Sequence, residues 1–289
     1  MLNSLKKLDE DTYKALVESA VKYYGIQKLP SWLKAKTLPN FSFKKSCNQG
    51  PSAPNLLLLH GLMGAVSNWN DTFQRFSKFC NVWALEFPIL ELDKEWVDVF
   101  SLTLYTECFV RAYKLAPVVL CGNSMGGHIA IRLTLARPEL VDCLILSGSS
   151  GLYENNPDAF PIKINREFVE GQIAQVFHNK EFITDELVDE VLNVLLDKGN
   201  VAKLVRAAKS AKKDNLLSEL HKISSPTLLL WGENDMVTDI EVAKMFKENI
   251  PNSTLKTVAE CGHAPMIEHP SWFAKEVKDF LEENSDYFK

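Results

Sequence analysis

Six short apolar runs, each closed by a polar or glycine-rich stop, constrain this chain more than any other feature. They are "PNLLLLHG" (54–61), "NVWALEF" (81–87), "PVVLCG" (117–122), "VDCLILSG" (141–148), "PTLLLWG" (226–232) and "STLKTVA" (253–259). Continuous apolar runs of this length suit strands buried on both faces of a parallel sheet, because neither face meets water. Helical periodicity falls between most of them, at about 98–115, 124–137, 239–249 and 271–283. Strand–helix alternation of this kind predicts an α/β fold, a mostly parallel sheet covered by helices.

The alternation breaks once. From 160 to 222 no strand-like run occurs, and helical stretches are expected at about 162–178, 184–197 and 199–218, with Thr184 as an N-cap. The organisation read from the chain is a helical N-terminal extension (1–39), a first core part (40–159), an inserted helical block (160–222) and a second core part (223–289). An amphipathic helix is expected over 9–25 and a short strand around Phe41–Phe43. At 289 residues the chain can bury a large core without disulfides or metals.

"CGNSMGGHIAIRL" (121–133) places Gly122-Asn123-Ser124-Met125-Gly126 between a strand and a helix. G-x-S-x-G in that context is a sharp corner that exposes the serine hydroxyl at the sheet edge. The dinucleotide fingerprint fails because Ser124 stands where its second glycine would be, and no Gly-Lys-Ser/Thr follows to make a phosphate loop. The Met125 amide, at the helix N-terminus, can bind a developing oxyanion. A second donor is expected after an earlier strand, where "LLLLHGLMG" (56–64) offers the Leu62 amide. The His60 side chain is read as packing that shapes the loop.

Two later strand ends complete the set. "LLLWGENDMV" (228–237) supplies Asp235, with Glu233 and Asp239 as rivals. "AECGHAPMIEHP" (259–270) supplies His263 in a loop, with His269 nearer the next helix as a capping or surface residue. The order Ser124, Asp235, His263 is that of α/β-hydrolases and differs from both protease orders. A serine hydrolase needing no metal or organic cofactor is expected.

From about residue 40 to 285 the chain resembles the α/β-hydrolase superfamily. "GNSMGG" resembles the elbow of its meta-cleavage-product hydrolases, which cut carbon–carbon bonds in vinylogous diketones. "FHNKEFITDELV" (177–188) resembles the start of a lid helix in that group. The resemblance implies an eight-stranded, mostly parallel sheet and identifies 160–222 as a helical lid. Two features depart from the carbon–carbon branch. No arginine closely follows "ITDEL", where Val188-Asp189-Glu190-Val191 stands, and Ala264 rather than tryptophan follows His263. Carboxylic-ester hydrolysis of a small molecule is therefore ranked first, carbon–carbon hydrolysis second, and a non-catalytic ligand-binding member of the fold third.

A net charge of −5 with scattered basic residues argues against nucleic acid as a partner, and Lys209, Lys212 and Lys213 read as a solvated helix face. No run is long enough for a membrane span, and the polar N-terminus is not read as a secretory signal. Six cysteines without CxxC or metal-ligand spacing read as free thiols, several of them buried, and imply a cytoplasmic setting.

Overall fold

A computed structural model describes residues 6–154 and 164–287. In chain order it contains α1 (Glu10–Glu18), α2 (Ser31–Lys34), β1 (Phe43–Ser46), β2 (Asn55–Leu59), α3 (Asn70–Phe76), β3 (Asn81–Leu85), α4 (Val99–Ala112), β4 (Val118–Asn123), α5 (Met125–Ala136) and β5 (Val141–Ser147). Three helices follow with no strand among them: α6 (Arg166–Val176), α7 (Asp185–Leu196) and α8 (Lys198–Lys213). The chain closes with β6 (Thr227–Gly232), α9 (Ile240–Asn249), β7 (Ser253–Val258), α10 (Pro265–Glu268) and α11 (Pro270–Glu283).

The strands form one sheet in the order β1-β3-β2-β4-β5-β6-β7. Only β1 runs antiparallel to its neighbour. Each of the six apolar runs forms one of the parallel strands, and all but the last do so for the expected reason; β7, at the sheet edge, is exposed at Thr254, Lys256 and Thr257. Along β2, Leu56 and Leu58 pack with Trp69, Phe73 and Phe273 on one face, whereas Leu57 and Leu59 pack with Phe109 and Ile129 on the other. Successive side chains of a strand point to opposite faces, so a strand between two helical layers must be apolar at every position. Full burial of each such leucine contributes about 2 kcal/mol.

The strand count departs from expectation. Among the described residues the sheet has seven strands, not the eight that the resemblance implied. The stretch before β1 carries Pro30 and Pro39, which cannot donate to a ladder. It forms α2 and an isolated bridge, Lys7 to Thr37, instead of a further strand. The first strand also lies slightly later than Phe41–Phe43. The N-terminal helix keeps its expected place, and Leu16 and Ala20 pack with Leu104 and Cys108 of α4.

The strandless stretch between β5 and β6 is helical as expected, with Thr184 capping α7 by accepting from the Leu187 amide at 3.2 Å. Residues 155–163 of that stretch, Phe160 among them, lie outside the described residues. Val169, Ile173, Leu195 and Leu204 are buried in the main core, so much of its apolar surface packs inward. Lys209, Lys212 and Lys213 are exposed. The six cysteines are free; five are buried and Cys47 is exposed. Among the described residues no helix is long and apolar enough to cross a membrane.

Candidate active site

The corner between β4 and α5 is fixed by glycine. A Cβ on Gly122 would run into the backbone of Gly126, and one on Gly126 would run into the Leu59 carbonyl. Only bare backbone lets helix and strand pass this closely. Between the two, Ser124 has φ 54° and ψ −121°, a conformation that a side-chain-bearing residue adopts at a cost of about 1–3 kcal/mol. Its carbonyl accepts from the amides of Gly127 (3.0 Å), Ser150 (3.1 Å) and His128 (3.2 Å), and its amide donates to Ser147 (3.0 Å). These bonds over-determine the turn. Ser124 is half-buried while the residues on either side of it are buried.

Met125 is the first residue of α5, so its N–H has no intrahelical acceptor and sits at the positive end of the helix. The loop after β2 passes directly over the serine. A Cβ on Gly61 would lie 3.2 Å from Ser124 Cβ, and Leu62 follows. His60 holds that loop. The Phe87 amide donates to its Nε2 at 2.9 Å, so the proton is on Nδ1, which donates to the Gly61 carbonyl at 2.7 Å. Both ring nitrogens are engaged within the fold, in keeping with a packing role.

Asp235 and His263 are brought together from the ends of β6 and β7. His263 Nδ1–H donates to Asp235 Oδ2 at 2.8 Å. The other carboxylate oxygen accepts from the amides of Val237 (2.8 Å) and Thr238 (2.9 Å), and the Thr238 hydroxyl donates to Oδ2 at 3.0 Å. A carboxylate so surrounded is fixed in orientation, and it leaves His263 Nε2 as the free base. Burial disfavours the imidazolium, but the charge of Asp235 and its hydrogen bond outweigh burial and raise the His263 pKa above its ordinary 6.5.

The pair is anchored beside the corner. The Asn123 amide group donates to the carbonyls of Ser147 and His263, both at 3.0 Å. Gly148, at φ +50°, lies against the imidazole, and a Cβ there would come 2.8 Å from Nδ1. The Ser124 hydroxyl is not hydrogen-bonded to His263 in this geometry. Such bonds commonly tighten only when substrate is bound. The helical block reaches the same place, because the His263 amide donates to the Val176 carbonyl at the end of α6 (2.7 Å).

The rival residues sit elsewhere. Glu233 is exposed and accepts from the Thr257 hydroxyl. Asp239 caps α9 by accepting from the amides of Glu241 and Val242. His269 precedes α11 and bonds the Glu260 carbonyl through Nε2. Asn123, Gly148, Thr238 and Val176 complete the surroundings of His263 and were not legible as site residues. The glycine that ends the run at 141–148 was the one available signal.

The arrangement places a strained serine beside the loop after β2, with an imidazole–carboxylate pair at the same sheet end. A model of the alpha/beta hydrolase family matches residues 56–276. A hydrolase of 2-hydroxy-6-oxo-6-(2'-aminophenyl)hexa-2,4-dienoic acid from Metapseudomonas resinovorans is 28% identical over 302 residues, covering 99% of this chain and 98% of its own. A pimeloyl-[acyl-carrier protein] methyl ester esterase from Nitrosomonas europaea is 27% identical over 240 residues, covering 77% of this chain and 93% of its own. Among solved structures, an alpha/beta hydrolase enzyme from a sediment metagenome of the Mar Chica lagoon, Morocco, is 31% identical. It has a TM-score of 0.70 and covers 86% of this chain and 97% of its own.

Proposed function

The chain belongs to the alpha/beta hydrolase family, and from that premise we propose that it is a serine hydrolase of small carboxylic esters acting through an acyl-enzyme on Ser124. One observation carries the reading: a serine held at φ 54° on a strand–helix corner, at the sheet end where Asp235 fixes His263. His263 Nε2 takes the Ser124 proton as the hydroxyl attacks the ester carbonyl. The tetrahedral oxyanion is bound by the amides of Leu62 and Met125, a contribution of about 3 kcal/mol per donor. The imidazolium, stabilised by Asp235, then protonates the departing alcohol. Water repeats the sequence on the acyl-enzyme, returning the acid and the free serine.

In this reading the helical block 160–222 is a lid whose apolar side chains line the mouth above Ser124. The lid arginines favour an uncharged acyl group. Arg166 pairs with Glu170, Asp185 and Asp189, and Arg206 pairs with Asp98 and the Glu95 carbonyl. Neither guanidinium is free to hold a substrate carboxylate in this arrangement.

Carbon–carbon hydrolysis is the second reading. What favours it is the relative that acts on a dienoic acid and aligns with nearly the whole chain. A panel of p-nitrophenyl esters of rising acyl length, run beside a ring-fission dienoate, separates the two. Ester hydrolysis predicts kcat/KM rising over short acyl chains, by about 0.8 kcal/mol per buried CH₂, then falling once the lid is filled, with weak dienoate turnover. Dienoate turnover a hundredfold above every ester, abolished by Arg166→Ala or Arg206→Ala, reverses the ranking. A non-catalytic member of the fold leaves Ser124 unreactive toward a fluorophosphonate.

A further inference from the structure

The N-terminal extension does not pack flush against the core. Between α2 with the segment after it and the loop after β3 lies a cavity of about 620 Å³, lined by Trp32, Leu38, Glu86, Glu91, Leu92 and Tyr105 among others. A second cavity of about 220 Å³ shares Trp32, Glu91, Leu92 and Tyr105 with it and adds Asp93 and Trp96. Ser124, Asp235 and His263 line neither.

Three properties of this lining converge. First, its charged side chains are all carboxylates: Glu86, Glu91 and Asp93, with no lysine, arginine or histidine. Glu86 is held ionised. Its Oε2 accepts from the Val66 amide at 2.8 Å, a bond that favours the carboxylate over the acid. Second, Trp32, Trp96 and Tyr105 supply aromatic walls, and aromatic faces attract cations. Third, Tyr105 is only 3% exposed, yet its hydroxyl meets no hydrogen-bond partner among the described residues. A buried hydroxyl without a partner is costly, and groups of this kind mark where a ligand or solvent completes the structure.

We infer that this pair of cavities is a binding site for a small protonated amine with an apolar or aromatic body. The ammonium would donate N–H bonds to the carboxylates and, once the side chains covering it part, to the Tyr105 oxygen, while the body packs between Trp32, Leu38 and Leu92. An anion is repelled by the same carboxylates, and a neutral apolar molecule leaves them unpaired. Glu86 belongs to both regions, since its Oε2 accepts from the Val66 amide in the loop that begins at His60. The site does not depend on the esterase reading, and its test uses no turnover.

The test is calorimetric titration of the full chain at pH 7 with phenethylamine, 2-phenylethanol and phenylacetate. Saturable one-site binding is expected for the amine, with the alcohol weaker by about tenfold, the size of one charge-assisted contact, and the anion weaker still. Glu91→Gln, an exposed position that the fold does not need, should weaken amine binding about tenfold. Trp32→Ala should also weaken it. Protein whose Ser124 has been modified by a fluorophosphonate should bind the amine as before. No saturable binding, equal affinity for the alcohol or the anion, unchanged affinity in both variants, or loss of binding on modification of Ser124 would each overturn the inference. Failure of Ser124 to react with the phosphonate bears on the catalytic proposal alone, because the unmodified protein still reports on the amine.

Discussion

Among the described residues, two imidazole–carboxylate pairs of nearly the same length lie in different regions. His263 Nδ1 meets Asp235 Oδ2 at 2.8 Å, and His128 Nε2 meets Asp214 Oδ2 at 3.0 Å. Distance does not distinguish them; the rest of each carboxylate's surroundings does. Asp235 accepts only neutral donors besides the imidazole, two amides and a hydroxyl, so its charge acts on His263. Asp214 is gripped by both the Nε and an Nη of Arg132, and Arg132 also reaches Glu219 at 2.7 Å. A guanidinium already neutralises that carboxylate. Position differs as well. His263 lies in a loop beside the serine corner. His128 lies within α5, fully buried, and joins that helix to the end of α8. An imidazole–carboxylate pair is thus a structural tie in one region and a candidate proton relay in the other.

This contrast predicts a graded set of outcomes. Ser124→Ala should lower ester turnover about 10⁶-fold with little change in stability; near-wild-type turnover would remove the serine from the account. Asp235→Asn should cost about 10⁴-fold in kcat, because an amide favours the wrong imidazole tautomer. Its pH profile carries a sign. The attacking base is neutral His263, so kcat/KM should rise with pH through a pKa above 6.5 in the native enzyme. With the carboxylate removed, burial remains and acts in the opposite direction, so the limb should move to lower pH. A limb that stays in place would mean that Asp235 does not govern the base.

Asp214→Asn should act on stability. It removes one of the two anionic partners of Arg132 and weakens the hold on α8, at a cost of about 3 kcal/mol for breaking a largely buried pair. Melting temperature should fall by several degrees while the folded fraction keeps its kcat. A kcat loss comparable to that of Asp235→Asn would erase the distinction between the two pairs. The smallest effects belong to Asp239→Asn and Glu233→Gln. Asparagine caps a helix about as well as aspartate, and Glu233 is exposed, so both should stay close to wild type in turnover and melting temperature.

How much of this could be read from the chain follows the same physical divide. The inner parallel strands were legible because burial on both faces leaves almost no polar position, as in Leu56–Leu59. The serine corner was legible because Gly122 and Gly126 are required by backbone contact, a constraint written in residue identity. Asp235 and His263 were legible by their order and their places after strand ends. The seven-strand count was not, since Pro30 and Pro39 act through which ladder bonds they withhold. Partnerships between distant segments were equally hidden. Nothing in spacing joins His128 to Asp214 or Arg206 to Asp98. Side chains that meet only after folding leave no periodic signal, and for that reason the lining of the proposed lid was out of reach as well.

The central claim is that His263 and Asp235 activate Ser124 as a nucleophile. The most direct measurement is the rate and site of phosphonylation by a fluorophosphonate, followed by intact mass and peptide mapping in the native chain, Ser124→Ala and Asp235→Asn. The account predicts a single adduct on Ser124 in the native chain, no adduct in Ser124→Ala, and labelling slowed by orders of magnitude in Asp235→Asn. An adduct on Ser149 or Ser150, an unreactive native chain, or equal labelling rates with and without the Asp235 carboxylate would contradict it.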